Sequence, residues 1–364
     1  KGAEPGMEEL YFGTITANAT CEVEAEIPDT YDLTVEDIIF TIDEDFEVNG
    51  VMTVEDGGTL TFAGGADLII DGELDIPAND AVTINSAVNI TGTGTFDVNA
   101  GAQVTQNGDF DIACDMTVGQ NCDMLYSNGS QLTVSGDLDV TGALGNETTF
   151  TESVVDAGWS GIRFIAGGGN NSDVAFANIT QSTGNGVMID GTYVDRFSNC
   201  NVSNNDVHGF FIIDNIDDET DIEFCTINNN TSNGLLLWKD VGGNLKMVEI
   251  NNCTVHSNGE TGLAVDKHPF KSLFSSYQFH PLYGISINGS TSQSYSSWDI
   301  VDNNSTNAAV TNAGIHLFDG FLMMTGDWVR NNLDRGMSLF GTSYVSMAPN
   351  NGDFNCIRDN GWAG

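Results

Sequence analysis

Two acid-rich stretches are the first residues in this sequence that could do chemistry. Asp43-Glu-Asp45 with Glu47 is one, and Asp214, Asp217, Asp218, Glu219 and Asp221 form the other. Hard carboxylate oxygens gathered in a loop suit Ca2+. Neither stretch has the spacing of the twelve-residue calcium loop. They read as solvated turn acids or, at Asp217, Asp218 and Asp221, as a Ca2+ site; no other cofactor is indicated. Seven cysteines, Cys21, Cys114, Cys122, Cys200, Cys225, Cys253 and Cys356, include no C-x-x-C pair, which argues against zinc and thioredoxin chemistry. Cys114 and Cys122 are close enough to close a small loop. Cys200, Cys225 and Cys253 read as a buried stack of small hydrophobes.

The elements that must position such residues are repeats. A glycine followed by apolar–any–apolar returns at Gly161, Gly186, Gly209, Gly234, Gly262, Gly284, Gly314 and Gly336, 22 to 30 residues apart. A period in the twenties carried by short strands is a solenoid signature. Cys200-Asn-Val202, Cys225-Thr-Ile227 and Cys253-Thr-Val255 each stand nine residues before a glycine, and each is followed by Asn205, Asn230 or Asn258. Trp298-Asp-Ile300 with Asn303 reads as a further copy, and His280 takes the asparagine place in its coil. Asparagine tolerates the left-handed bend and can bond along a ladder of its own kind.

Side chains alternate across a strand, so the first and third residues after each glycine face inward. The second and fourth face out. These are Met188, then Phe211 and Ile213, then Leu236 and Trp238, then His316 with Phe318, then Phe340. Apolar residues standing outward on stacked coils form a ribbon, and such ribbons mark interaction sites. Either the ribbon is exposed, ready for a sugar ring or another subunit, or the aromatic segment 267–283 or an arm covers it.

Residues 36–150 carry a denser version of the repeat. Gly-x-[Leu/Phe]-Asp-[Ile/Val] recurs at Gly72, Gly94, Gly108 and Gly136, with Asp75, Asp97, Asp111 and Asp139 outward. Residues 1–35 do not follow the pattern and read as an N-terminal arm or cap. The expected organisation is an all-β, right-handed parallel β-helix of about 14 coils. It has a first segment at 36–150 and a second at 151–364 continuous with it.

Composition narrows the function. The formal charge is −42, with 52 acidic residues against 10 Lys plus Arg. Such a surface repels nucleic acid and anionic lipid. No apolar run approaches the ~20 residues of a membrane helix, so no membrane insertion is expected. The chain begins on Lys1, which reads as a processed segment of a secreted precursor.

The Gly-led strands and the Cys-x-[Val/Ile] turns resemble the right-handed parallel β-helix proteins of the pectate-lyase-like superfamily. Gly136-Asp-Leu-Asp-Val-Thr-Gly142, Thr149-Phe-Thr151 and Gly158-Trp-Ser-Gly-Ile-Arg-Phe164 are similar to secreted surface proteins of Bacteroidetes-type bacteria that leave by the type IX route. That resemblance implies an extracellular or cell-surface location and an adhesive or structural role. Pectinolytic hydrolases of the superfamily carry Asn-Thr-Asp, Gly-Asp-Asp, Gly-His-Gly and Arg-Ile-Lys motifs. None is present, and Val207-His-Gly209 is only a fragment. A lyase of this kind requires a basic residue, for which Arg163 and Arg196 are isolated candidates, and calcium.

The reading is therefore a non-enzymatic extracellular structural or adhesive β-solenoid, able to assemble with itself into a filament or to bind a cell-surface glycan. The alternative is a polysaccharide-binding or polysaccharide-cleaving β-helix, a lyase or glycoside hydrolase. The binding residues expected are Met188, Phe211, Ile213, Leu236, Trp238, Phe318 and Phe340, with no catalytic residue assigned.

Overall fold

The computed structural model describes residues 8–9, 13–15, 17–63, 65–154, 158–166, 171–215, 218–240, 245–289, 294–304, 312–347 and 355–360. Among them every regular element is a β-strand, and every strand pairing is parallel. Each coil contributes three short strands, and each strand pairs with the strand three places along the chain. The protein is an all-β parallel solenoid with three sheets, consistent with a right-handed β-helix. The chain divides into two units, residues 1–181 and 182–364.

In residues 1–181 the first sheet runs from Glu8–Glu9 to Ile162–Ile165, the second from Thr14–Ile15 to Asp173–Ala175, and the third from Ala19–Cys21 to Ala177–Thr180. Each has eight strands. The segment expected as an arm therefore contributes rungs of its own. Ala25 and Ile27 pair with Phe46 and Val48, and Thr34 and Val35 with Thr53 and Val54. Alternation buries Ala25, Ile27, Leu33 and Val35, which an arm lying outside the repeat would not require.

The interior of this unit is filled by large rings from all three sheets, with Phe46, Phe96, Phe110 and Phe150 fully buried. Tyr126 stacks on Trp159 at 4.7 Å between ring centroids. Each buried phenylalanine contributes about 1.5–3 kcal/mol of hydrophobic stabilisation. Many acids have a structural task at the bends. Asp45 accepts the Asp67 amide, Asp71 the Thr93 amide and Asp109 the Gln131 amide, each one coil further on.

In residues 182–364 the first sheet runs from Val187–Asp190 to Arg335–Phe340, the second from Arg196–Ser198 to Tyr344–Met347, and the third from Asn201–Ser203 to Cys356–Arg358. Each has seven strands. Here asparagine makes the bend. Asn205, Asn230, Asn258, His280, Asn304, Asn332 and Asn360 form one ladder. Its Oδ1 atoms accept the backbone amide of the rung before, at 3.2 Å for Asn205 N to Asn230 and 3.0 Å for Asn230 N to Asn258. His280 holds a rung by donating its backbone N–H to Asn304 Oδ1 and by placing Nε2 3.1 Å from Val255 O.

A second ladder, at the position of Cys200, Cys225 and Cys253, continues as Ser275, Asp299, Asp327 and Asn355. Val301 pairs with Tyr277, which pairs with Val255. This moves the expected copy by one residue. Asp299 and Asn304, not Trp298 and Asn303, hold the cysteine and asparagine places.

Candidate binding surface

The Gly-led strands present the outward residues, and the asparagine ladder sets where those strands lie. At Gly209 a Cβ would stand 2.6 Å from Gly234 O, 2.7 Å from Ile227 Cγ2 and 2.9 Å from Asn230 Nδ2. The coil can close onto its ladder only where that position has no side chain. The next four residues then alternate. Phe210 and Ile212 are fully buried, while Phe211 and Ile213 are half-buried on the outer face.

The expected outward residues fall into two patches. In the first, Met188 lies beside Phe211 and Phe211 beside Leu236, while Ile213 lies beside Trp238. His208 and Trp238 flank the Phe211 ring at 5.6 Å and 6.2 Å. Trp238 is 42% exposed. The ribbon then stops, because the next two coils put Ala264 with Asp266 and Ser286 with Asn288 on this face.

It resumes at His316 with Phe318 and at Phe340. Tyr283 stacks on His316 at 4.7 Å, and Phe340 lies 5.5 Å from the same imidazole. Burial holds the His316 pKa below the usual histidine range. Phe321 and Tyr344 carry a second stack, at 5.7 Å, on the adjoining sheet. Of the aromatic segment 267–283, Tyr283 joins the second patch through its stack on His316. Phe270 and Tyr277 point inward, and Phe274 and Phe279 sit at bends.

The acid stretch of this unit divides. Asp217 lies outside the described residues. Asp218 is exposed and accepts the Glu219 amide at 2.9 Å. Asp221 stands on the second sheet between Arg196 and Glu249. Burial, then the neighbouring Glu249, raises its pKa. Glu249 pairs with Lys271 at 2.8 Å. Among the described residues no group of three His, Cys, Asp or Glu is placed to hold a metal ion.

Of the two basic candidates, Arg196 lies on that charged sheet. Arg163 lines a shallow polar groove of about 480 Å³ on the first sheet of residues 1–181, with Asn89, Asp109, Asp111, Gln131 and Thr133. Asp111, Thr133 and Arg163 occupy successive rungs of one column.

The interior holds titratable groups that sequence reasoning missed. Ser296 Oγ lies 2.8 Å from Asp299 Oδ2 and 3.0 Å from Asp327 Oδ1. A hydroxyl has one proton to donate, so one of the two contacts requires a proton on a carboxyl group. Burial, then the Asp327 charge, pushes the Asp299 pKa up to about 8. Burial pushes Asp327 up to about 6. Burial depresses His268 and His280 to about 4. The Cys225 thiol is raised by burial, with Cys200 and Cys253 beside it, which is the buried sulfur stack expected.

Also missed were exposed rings at the bend between the second and third sheets: Phe224, Phe274 and Trp298. The signal available was an aromatic residue immediately before the cysteine-ladder position.

Residues 147–296 match the family described as right handed beta helix region. No curated protein matches the chain. Among solved structures it is similar to the periplasmic alginate epimerase AlgG, at 11% identity over 86% of this chain and 77% of that one, with a TM-score of 0.47. It is also similar to the Dettilon tailspike protein, at 11% identity over 86% of this chain and 62% of that one, with a TM-score of 0.37. Likenesses this distant carry no statement about what this chain binds. The family match and the three parallel sheets agree on one architecture, the parallel β-helix.

Proposed function

We propose that this chain is an extracellular structural or adhesive β-solenoid that works by surface contact rather than catalysis. Copies of it associate through the two aromatic patches on the first sheet of residues 182–364. The observation that carries the reading is the clustering of Phe211 with Trp238, and of Tyr283 and Phe340 about His316, on the outer face. Exposed apolar stacks of this kind on an otherwise acidic surface suit contact with another macromolecule. The extracellular placement rests on the resemblance of residues 136–164 to secreted surface proteins.

At −42 the copies repel one another at low ionic strength, so salt strengthens association. Sedimentation velocity at rising protein concentration in 0.15 and ~0.5 M NaCl tests this. The wild type associates, more so in high salt, and Phe211→Ser with Trp238→Ser does not. A wild type that sediments as a monomer at every concentration sinks the proposal.

One observation favours a second reading, a polysaccharide-cleaving enzyme. Arg163 shares a groove with Asp109 and Asp111, and Arg163 and Lys1 are the only Lys or Arg before residue 182. Two rungs, about 9.6 Å, separate Arg163 from Asp111 along the column. Release of unsaturated or reducing ends from a polysaccharide panel, lost in Arg163→Ala, would favour it over the first reading.

A further inference from the structure

Left-handed backbone is easily adopted by asparagine and glycine and disfavoured for aromatic residues. At the bend between the second and third sheets of residues 182–364, six successive coils place one residue there. These are Asn199, Phe224, Asn252, Phe274, Trp298 and Gly326, with φ between 52° and 74°. Asparagine and glycine are what the bend favours. The aromatic residues do not offset the strain by burial, since Phe224 is 56%, Phe274 58% and Trp298 41% exposed. Phe274 and Trp298 lie nearly parallel, 9° between ring planes and 6.2 Å between centroids. The Trp298 ring lies over Gly326, where a Cβ would come within 3.0 Å of it. Strained residues that folding does not require point to function.

The face beside this bend is chemically distinct. Asn201–Ser203, Thr226–Asn228, Thr254–His256 and Ser276–Gln278 are consecutive rungs of the third sheet and contain no Asp, Glu, Lys or Arg. Thr226 and Thr254 align in one outward column, and Ser276, its Oγ buried, takes the next rung. The adjoining second sheet presents Arg196, Asp221, Glu223, Glu249 and Lys271 over the same stretch. In a chain with 52 acidic residues, an uncharged strip of hydroxyls and amides bordered by aromatic rings fits an uncharged polyhydroxyl partner.

We infer that this strip and its aromatic edge bind a neutral linear polysaccharide lying along the stacking direction of the coils. The ring faces, which carry the negative side of the aromatic quadrupole, stack against the C–H faces of pyranose rings. The hydroxyls and amides bond the sugar hydroxyls. Rungs repeat every 4.8 Å or so, so the ligand is a chain of several sugars. The strip offers no Lys or Arg to pair with a uronate or sulfate, which favours a neutral polymer over an anionic one. A second copy of this chain is the competing occupant. The site lies on a different sheet from the first-sheet patches and stands or falls separately from them.

The test is affinity electrophoresis of the full chain in native gels containing xyloglucan, mixed-linkage β-glucan or mannan, with alginate as the anionic control. The wild type is retarded by at least one neutral polymer and not by alginate. Phe274→Asn with Trp298→Asn weakens binding by about tenfold or more. Its Tm stays level or rises by a few degrees, because asparagine suits the bend. Any of four results overturns the inference: no retardation by any neutral polymer; retardation that survives Phe274→Asn with Trp298→Asn; a fall in Tm in that variant, making the rings structural; or loss of self-association in that variant with no glycan effect, making a second copy the occupant.

Discussion

Replacing Asp299 with asparagine will stabilise the fold far more at pH 8 than at pH 5. The Asp299 carboxyl is fully buried and is held at about 8, against an ordinary value of 3.8. The native state therefore keeps a proton that the unfolded chain releases near pH 4. Stability linked to this group is fully present below about pH 4, is lost as pH rises, and levels off above about 8. At about 1.4 kcal/mol per pH unit, the loss between pH 5 and 8 is up to about 4 kcal/mol.

Asparagine reproduces the neutral acid. Its Oδ1 keeps the Ser275 amide, now bonded at 2.8 Å, and its Nδ2 donates to Ser296 Oγ. Asn355 already serves as a rung of the same ladder. Asp327 and Tyr277 are the other titratable groups facing the site, and both remain in the variant. Urea unfolding followed by circular dichroism at pH 5, 6.5 and 8 reads the difference, with unchanged m-values as the control. The stability gap between variant and wild type should widen by more than about 1.5 kcal/mol from pH 5 to pH 8. A gap that is the same at both ends refutes the buried neutral acid.

Three further outcomes follow from the ladders. His280 is depressed to about 4, so its contribution is present above pH 6.5 and lost as pH falls toward 4; His280→Asn reduces acid lability in a pH titration of ellipticity, leaving the share due to His268. Asn230→Ala leaves the Asn205 amide and Val202 O unpaired in the interior, which costs about 2–4 kcal/mol in denaturant unfolding. Gly209→Ala drives a Cβ against Gly234 O and Asn230 Nδ2, lowering Tm by an amount equivalent to about 1–3 kcal/mol.

The architecture was legible because a solenoid repeats its constraints. Phe210, Leu235 and Leu263 occupy one inward column, and each announces itself by the same spacing from a glycine. The first 35 residues were harder to read. Strands of two or three residues such as Thr14–Ile15 and Ala25–Ile27 are too short to show a period, and Thr14 and Glu26 stand at their outward positions.

Alternation correctly sent Phe211, Trp238 and Phe318 outward. Continuity of the ribbon needed the intervening coils, where Asp266 and Asn288 break it. The aromatic bend was hidden by the one-residue slip that set Trp298 in the cysteine place. With Asp299 there instead, Trp298 falls into line with Phe224 and Phe274, and the buried carboxylate pair becomes visible. Pairing register, which single-strand reading does not supply, decides both.

The central claim, function by contact through the first-sheet patches, is tested most directly by negative-stain electron microscopy of the purified full chain beside Phe211→Ser with Trp238→Ser. Ordered assemblies of the wild type that are absent from the variant are the predicted result. Dispersed single particles in both, or the same assemblies in both, would contradict it.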